Sequence, residues 1–225
     1  MPPSTGVDAV LGLRERKKQR TRANIVDVAS RLCAERGYEH TTVDQIAAAA
    51  DISPRTFSRY FPNKEAVIGA LIEDIAEHVA DALARQPRDI TEHEALERAH
   101  LEVLRAAEGD DPGAMSFDRV NGFLQIVNGS PTLGLASFTY RPESPTLPVI
   151  EALARRMGID AGHRAVRILF DTWAVLMAAA LGTPGAEVGR PGAVADRIEE
   201  TYALFTRLWQ PWNLAEQPPS GERGR

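Results

Sequence analysis

The chain has 225 residues, 44% of them hydrophobic, with 26 Lys and Arg against 31 Asp and Glu and a formal net charge of −5. That length suits one large or two small domains, and no run approaches the roughly 20 apolar residues of a membrane span. A single cysteine excludes an internal disulfide, and the start MPPSTGVDAV lacks the basic-then-apolar pattern of a signal peptide, so a reducing, cytoplasmic setting is expected.

The charge is unevenly divided. Residues 11–65 hold eleven basic and seven acidic residues, a balance of +4, which leaves −9 for the remainder. A basic head on an acidic body turns one face toward phosphate and keeps the other away from it.

In chain order, residues 1–17 are expected to form a disordered basic arm. Arg14, Arg16, Lys17, Lys18, Arg20 and Arg22 set six positive charges against Glu15 alone. Arg16, Lys17, Lys18 and Arg20 are the candidates for neutralising phosphates or entering a minor groove; a solvated tail is the plainer alternative. A first helix is expected over Lys18–Arg36, with Gly37 just past its end. Cys33 falls on its apolar face with Ile25, Val28, Ala29 and Leu32 and reads as a packed thiol.

Thr42 to Phe61, TVDQIAAAADISPRTFSRYF, reads as two short helices joined by a tight turn. The first spans about Val43–Ala50, capped by Thr41 or Thr42. Asp51 can take the left-handed geometry of a sharp turn. Ser53 then caps a second helix with Pro54 at its first position, where a missing N–H costs nothing. Ile52, Phe57 and Phe61 point inward. Arg55, Thr56, Ser58, Arg59 and Tyr60 lie on the outer face, a set suited to a major groove. Helix-turn-helix spacing alone also fits an ordinary helical hairpin.

The flanks carry more. Asn24-Ile25-Val26-Asp27-Val28-Ala29-Ser30-Arg31-Leu32-Cys33-Ala34-Glu35-Arg36-Gly37-Tyr38 and Thr41-Thr42 precede the pair, and Tyr60-Phe61-Pro62-Asn63-Lys64-Glu65 follows it. The run from about Gln19 to Val79 resembles the N-terminal domain of the TetR family of transcriptional regulators. It departs from the family at Asp51, where glycine is usual, and at Cys33, where an aromatic is common. The resemblance implies that Thr42, Tyr60 and Lys64 hold DNA phosphates, with Val43 and Pro54 in the same DNA-facing set.

Beyond Phe61 a long amphipathic helix, capped by Asn63, carries Val67, Ile68, Leu71, Ile72, Ile75, Val79 and Leu83 and is broken at Pro87. It reads as a lever between head and body. Thr91 caps a helix to about Ala107, with Glu94 as a capping-box partner. His93, Glu97 and His100 share one face of that helix. A metal site is conceivable there, although the neighbouring charges read as an exposed surface. Residues 109–116 read as a loop and Phe117–Val127 as a helix. Pro142, Pro145 and Pro148 argue against a continuous helix over 131–148. That segment is expected to open a mouth to a cavity, with Phe138 and Tyr140 at its rim. Val149–Met157, Gly162–Leu181 and Ala193–Trp209 complete the helices, and 213–225 is expected to be a disordered tail.

The expected architecture is all-α: a helix-turn-helix head over 18–64 and a ligand-binding and dimerisation body over 65–212, with about nine helices in all. Phe117, Phe123, Phe138, Tyr140, Phe170 and Trp173 are the candidate ligand lining, though plain core explains each as well. Val166, Leu169, Leu176, Met177, Ile198, Tyr202, Phe205 and Trp209 are the candidate dimer face; packing within one chain explains those stripes too, and the resemblance favours the homodimer. It further implies a regulator of a pseudo-palindromic double-stranded operator, most often a repressor released by a small apolar ligand, here a fatty acid or acyl-CoA. No catalytic motif, cofactor site, structural metal or membrane partner is expected. An all-α metal-dependent enzyme and a helical adaptor without a ligand are the competing classes.

Overall fold

The computed structural model describes residues 5–109, 113–129, 147–182 and 188–209, and among them the chain is entirely helical. Nine α-helices follow in order: α1 Thr5–Arg36, α2 Val43–Ala49, α3 Pro54–Tyr60, α4 Lys64–Arg85, α5 Glu92–Glu108, α6 Phe117–Gly129, α7 Pro148–Met157, α8 Arg164–Leu181 and α9 Pro191–Trp209.

α1 corrects one expectation. It begins at Thr5, so the basic segment ahead of Lys18 is helical and not an unstructured arm. No proline interrupts 5–36, and Ala, Leu, Arg, Lys, Gln and Glu dominate its N-terminal half, all good helix formers. That half is exposed over 14–20, while Ile25, Val28, Ala29, Leu32 and Cys33 are buried further on. Burial raises the Cys33 thiol pKa, as expected of an inert packed cysteine. Gly37 (φ 86°) ends the helix and returns its N–H to the Cys33 carbonyl at 2.9 Å.

The short helices are held by local caps. Thr42 and Gln45 form a reciprocal capping box on α2. Asp51 takes φ 55°, the one non-glycine positive φ among the described residues, and turns the chain between α2 and α3. Ser53 caps α3, accepting from the Thr56 N–H at 3.1 Å, and Pro54 opens the helix. Asn63 caps α4 through the Ala66 N–H at 2.8 Å.

One continuous core runs from Ile25, Ile46, Phe57 and Phe61 in the head, along Val67, Ile68, Leu71, Val79 and Leu83 of α4, to Leu96, Leu124, Leu153, Phe170 and Ile198 in the body. α4 packs on α1 at the head and on α5 and α7 in the body, and α6 lies along α1. Head and body therefore share α4 and meet again where α1 contacts α6. α6 runs past its expected end at Val127 to Gly129, and Asn128 within it is buried. Residues 131–146 of the proline-rich segment lie outside the described residues, as do Phe138, Tyr140 and 213–225, while Pro148 opens α7.

The terminal helices correct a second expectation. Val166, Met177 and Ile198 are buried within the protomer, at 0%, 3% and 2% exposure, and are not available to a partner. Leu169, Leu176, Tyr202 and Phe205 are half-buried, and the Trp209 side chain lies outside the described residues. Among the described residues, the large apolar side chains left in solvent are Ile168, Val175, Leu204 and Leu208. α8 and α9 each carry two apolar stripes. Their own chain takes the larger one, and the residual stripe is displaced around the helix.

Candidate nucleic-acid interface

α3 presents its outer face as the sequence predicts. Phe57 is fully buried and anchors the helix, while Pro54, Arg55, Ser58 and Arg59 are exposed and Thr56 and Tyr60 half-buried. Hydroxyl chemistry then sorts this set. Thr56 Oγ1 pairs with Ser53 Oγ at 2.9 Å, and Ser58 Oγ donates to the Pro54 carbonyl at 3.1 Å. The Ser58 proton is thus committed, leaving its lone pairs outward. Arg55 and Arg59 are the exposed multi-donor groups, able to address guanine O6 and N7 in pairs.

Tyr60 is partly withdrawn from the groove side. Its hydroxyl meets Thr21 on α1, which with Arg59 lowers its pKa, and the Arg59 guanidinium stands 5.2 Å from its ring. Thr42 is exposed; its hydroxyl accepts from the Gln45 N–H at 3.3 Å and keeps its own proton for another acceptor. Val43 is half-buried against the core.

Lys64, a phosphate contact by the resemblance, also makes bonds within the head. Its ammonium donates to the carbonyls of Tyr38 at 2.6 Å and Thr41 at 3.0 Å, and sits 3.9 Å from the Tyr38 ring centre. Two of its three donors thus tie α4 to the loop that enters α2. Glu65 completes the tie by accepting from the Tyr38 hydroxyl at 3.0 Å, and burial together with that carboxylate raises the phenol pKa.

Beside α3 lies a groove of about 1170 Å³ lined by Arg14, Arg16, Lys17, Arg20, Thr21, Asn24, Ala50 and Ile52, among others. It runs between the exposed half of α1 and the helix-turn-helix turn. Asn24 Nδ2 donates to the Ala50 carbonyl at 3.4 Å and fixes that turn to α1. Lys18 pairs loosely with Glu15 at 3.9 Å. Arg16, Lys17, Lys18 and Arg20 therefore form a basic helical rim, where the sequence suggested a flexible arm.

In the body, a small apolar cavity of about 40 Å³ sits between α4, α5, α6, α7 and α8. Phe123, Phe170 and Trp173 line it, as expected; Ile72, Ile75, Val79, His100, Leu147 and Val149 line it as well. Phe117 is not among the lining residues: it lies under the Arg190 guanidinium at 5.1 Å, at the start of α6. Sequence reasoning missed the α4 residues because they already served as the lever's core stripe.

His100 overturns the expected exposed face on α5. Trp173 Nε1, which can only donate, reaches His100 Nε2 at 3.3 Å, so the proton is on Nδ1, 2.7 Å from the Leu96 carbonyl. Burial holds this neutral imidazole at a pKa of about 4. Glu97 is also buried, at 9% exposure, and burial followed by the charge of Glu199 pushes its carboxyl up to about 7. His93 faces Phe205, ring centres 5.8 Å apart, and burial lowers its pKa. Phe205 of α9 and Trp173 of α8 pack over this face, burying Glu97 and leaving His93 and His100 partly covered. Among the described residues no three His, Cys, Asp or Glu stand together as a metal site.

A capped helix-turn-helix head with a basic rim beside it, set on a helical body, is the architecture of helix-turn-helix DNA-binding proteins. The comparisons with known proteins narrow that class. The model of the bacterial regulatory proteins of the tetR family matches residues 25–71. The HTH-type transcriptional regulator TcmR of Streptomyces glaucescens is 36% identical over 150 residues, 66% of this chain and 66% of that one. The fold is that of the TetR family protein CprB from S. coelicolor A3(2), with a TM-score of 0.52 at 21% identity over 89% of this chain and 93% of that one. A TetR family transcription regulator structure from Shewanella sp. PV-4 gives a TM-score of 0.50 at 16% identity, covering 84% and 97% of the two chains. The chain belongs to the TetR family of transcriptional regulators. No helix among the described residues is long and apolar enough to cross a membrane.

Proposed function

We propose that the chain is a cytoplasmic, homodimeric repressor, not an enzyme, that binds a pseudo-palindromic double-stranded operator and leaves it when a small apolar ligand enters the body. The observation that carries this reading is the outer face of α3. Arg55 and Arg59 stand exposed on a helix whose both ends are capped and whose buried side is anchored by Phe57. The basic rim of α1 beside it supplies phosphate-neutralising charge without sequence information. Ile168 and Val175 on α8 and Leu204 and Leu208 on α9, each exposed, support self-association. Two heads in one dimer would then meet half-sites about 34–36 Å apart.

Ligand control is supported by the place of the cavity. It touches α4, which begins immediately after α3, so a ligand that prefers one pose of α4 biases the heads. At about 40 Å³ it is far below the roughly 300–1,000 Å³ of small-molecule pockets, so the ligand enters by displacing side chains. Alkyl and aromatic lining suits an acyl chain, the fatty acid or acyl-CoA reading. Among the described lining residues no Lys or Arg stands ready for a carboxylate or phosphate, which favours a neutral apolar ligand.

The test is fluorescence anisotropy across a salt series with DNA from upstream of the chain's own gene, then thermal shift with long-chain acyl-CoAs and with uncharged apolar compounds. Tight, salt-sensitive binding above random DNA is expected. Binding no better than random DNA at every duplex selected from a random pool would end the operator reading. No stabilisation by any acyl-CoA would end the lipid one.

A further inference from the structure

Arg119 lies in the first turn of α6 and touches both routes between head and body. Its Nε donates to Asp27 on α1 and its Nη1 to Asp74 on α4. The guanidinium side chain is only 20% exposed and Asp74 27%, so that pair is shielded more than an ordinary surface bridge, while Asp27, 49% exposed, holds the fork at the solvent edge. The planar fork allows one residue to hold two carboxylates on two helices at once, which a lysine's point charge does not do with fixed direction.

The surroundings make this contact a lever point. On the head side, Asp27 is one turn from Asn24, whose amide holds the Ala50 carbonyl at the turn before α3. On the body side, Phe123 is one turn from Arg119 along α6 and lines the cavity. Asp74 lies on α4 between Ile72 and Ile75, which line it too. The helices are also pressed together. Ser30 Oγ donates to the Asp118 carbonyl at 3.4 Å, and a Cβ on Gly122 would stand 2.0 Å from Ser30 Oγ and 2.9 Å from the Ser30 carbonyl oxygen. With no slack between α1 and α6, a displacement of α6 must either carry α1 along or break the Arg119 pairs.

We infer that Arg119 is the positioning residue through which the state of the body cavity sets the pose of the DNA-reading head. Cavity filling moves Phe123 and the start of α6, and the fork transmits that movement to α1 and α4 together. This rests on the regulator reading above. A contiguous set of contacts is not itself coupling, so the test is a double-mutant cycle read on DNA affinity.

Phe123→Trp overfills the cavity and stands in for a ligand of unknown identity; Phe123→Leu is the second perturbation should the larger ring prevent folding. Each is combined with Arg119→Gln, and thermal unfolding confirms that every variant folds. Affinity is measured for a duplex that the unaltered chain selects from a random pool. Phe123→Trp is expected to weaken binding about tenfold when Arg119 is present, a usual size for coupled sites. In the Arg119→Gln chain the same change is expected to shift affinity less than about twofold, the scatter of independent sites. Asp27→Asn is expected to reproduce the Arg119→Gln background. Additive losses overturn the inference while leaving the regulator reading intact. Failure of the unaltered chain to select any duplex overturns the regulator reading, and this inference falls with it.

Discussion

Lys64 Nζ lies 2.6 Å from the carbonyl oxygen of Tyr38, inside the protein's own head and not on its outer surface alone. Charge-assisted bonds of this kind are about twice as strong as neutral ones, and here two carbonyls share one ammonium. Lys64→Met is therefore expected to destabilise the chain by about 2–3 kcal/mol through the carbonyls it strands. The salt series separates this from a phosphate role. A lost phosphate contact lowers the slope of log affinity on log salt by about 0.9, whereas a lost staple leaves the slope unchanged while thermal stability falls. An unchanged melting temperature with a reduced slope would return Lys64 to the phosphate set.

Arg59→Ala is expected to relax sequence preference. A bidentate Arg–guanine pair discriminates by about 1–3 kcal/mol, so selection from a random pool should lose one base position of its consensus. Arg20→Ala, on the basic rim of α1, is expected to weaken all sequences alike. Equal losses on operator and random DNA for both variants would remove the division of labour between α3 and α1.

How much of this was legible follows from the range of each interaction. Ser53, Pro54, Asp51 and Asn63 declare their caps and turns within three or four residues, and the structure holds each of them where the sequence put it. Phe123, Phe170 and Trp173 lie inward beside the cavity because bulky aromatics on apolar stripes must be buried. The bonds Lys64 makes within the head leave no trace in the sequence, because its partners are backbone carbonyls 26 and 23 positions away, which no side-chain pattern records. Arg119 gave no signal: its carboxylates lie 92 and 45 positions away on other helices. On the sequence the face of α5 looks exposed, because His93 and Glu97 sit among charges. α8 and α9, which cover it, carry no sequence mark that says so.

The residual stripe on α8 and α9 gives a prediction about assembly. Val175→Glu combined with Leu204→Glu, at residues 63% and 50% exposed, is expected to convert a dimer to a monomer in sedimentation equilibrium. Surface changes of this kind usually leave stability within about 0.5 kcal/mol, so thermal unfolding of the monomer should show intact secondary structure. Val166→Glu, at a position with no exposure, is expected to unfold the chain instead. A double variant that stays dimeric would place the interface elsewhere.

Glu97 and His100, one turn apart on α5, set opposite pH dependences. His100 is neutral in the fold down to a pKa of about 4, while its unfolded counterpart charges near 6.5. Its contribution is full above about 6.5 and is lost as pH falls toward 4, by about 3 kcal/mol. Glu97 is protonated in the fold up to about 7, while its unfolded counterpart ionises near 4.5. Its contribution is full below about 4.5 and is lost as pH rises through 7, by about 1–3 kcal/mol once partial solvation is allowed for. Between these limits the two slopes oppose each other and the stability profile is flattened. Glu97→Gln removes one of them. The variant is expected to be more stable than the unaltered chain at pH 8, with the advantage disappearing below about pH 4.5, and to fall more steeply than that chain between pH 6.5 and 4. Urea midpoints measured across pH 4–8 provide the check. Parallel profiles for the two chains would mean that Glu97 is ionised in the fold and that its charge is met by Arg98 and Arg105.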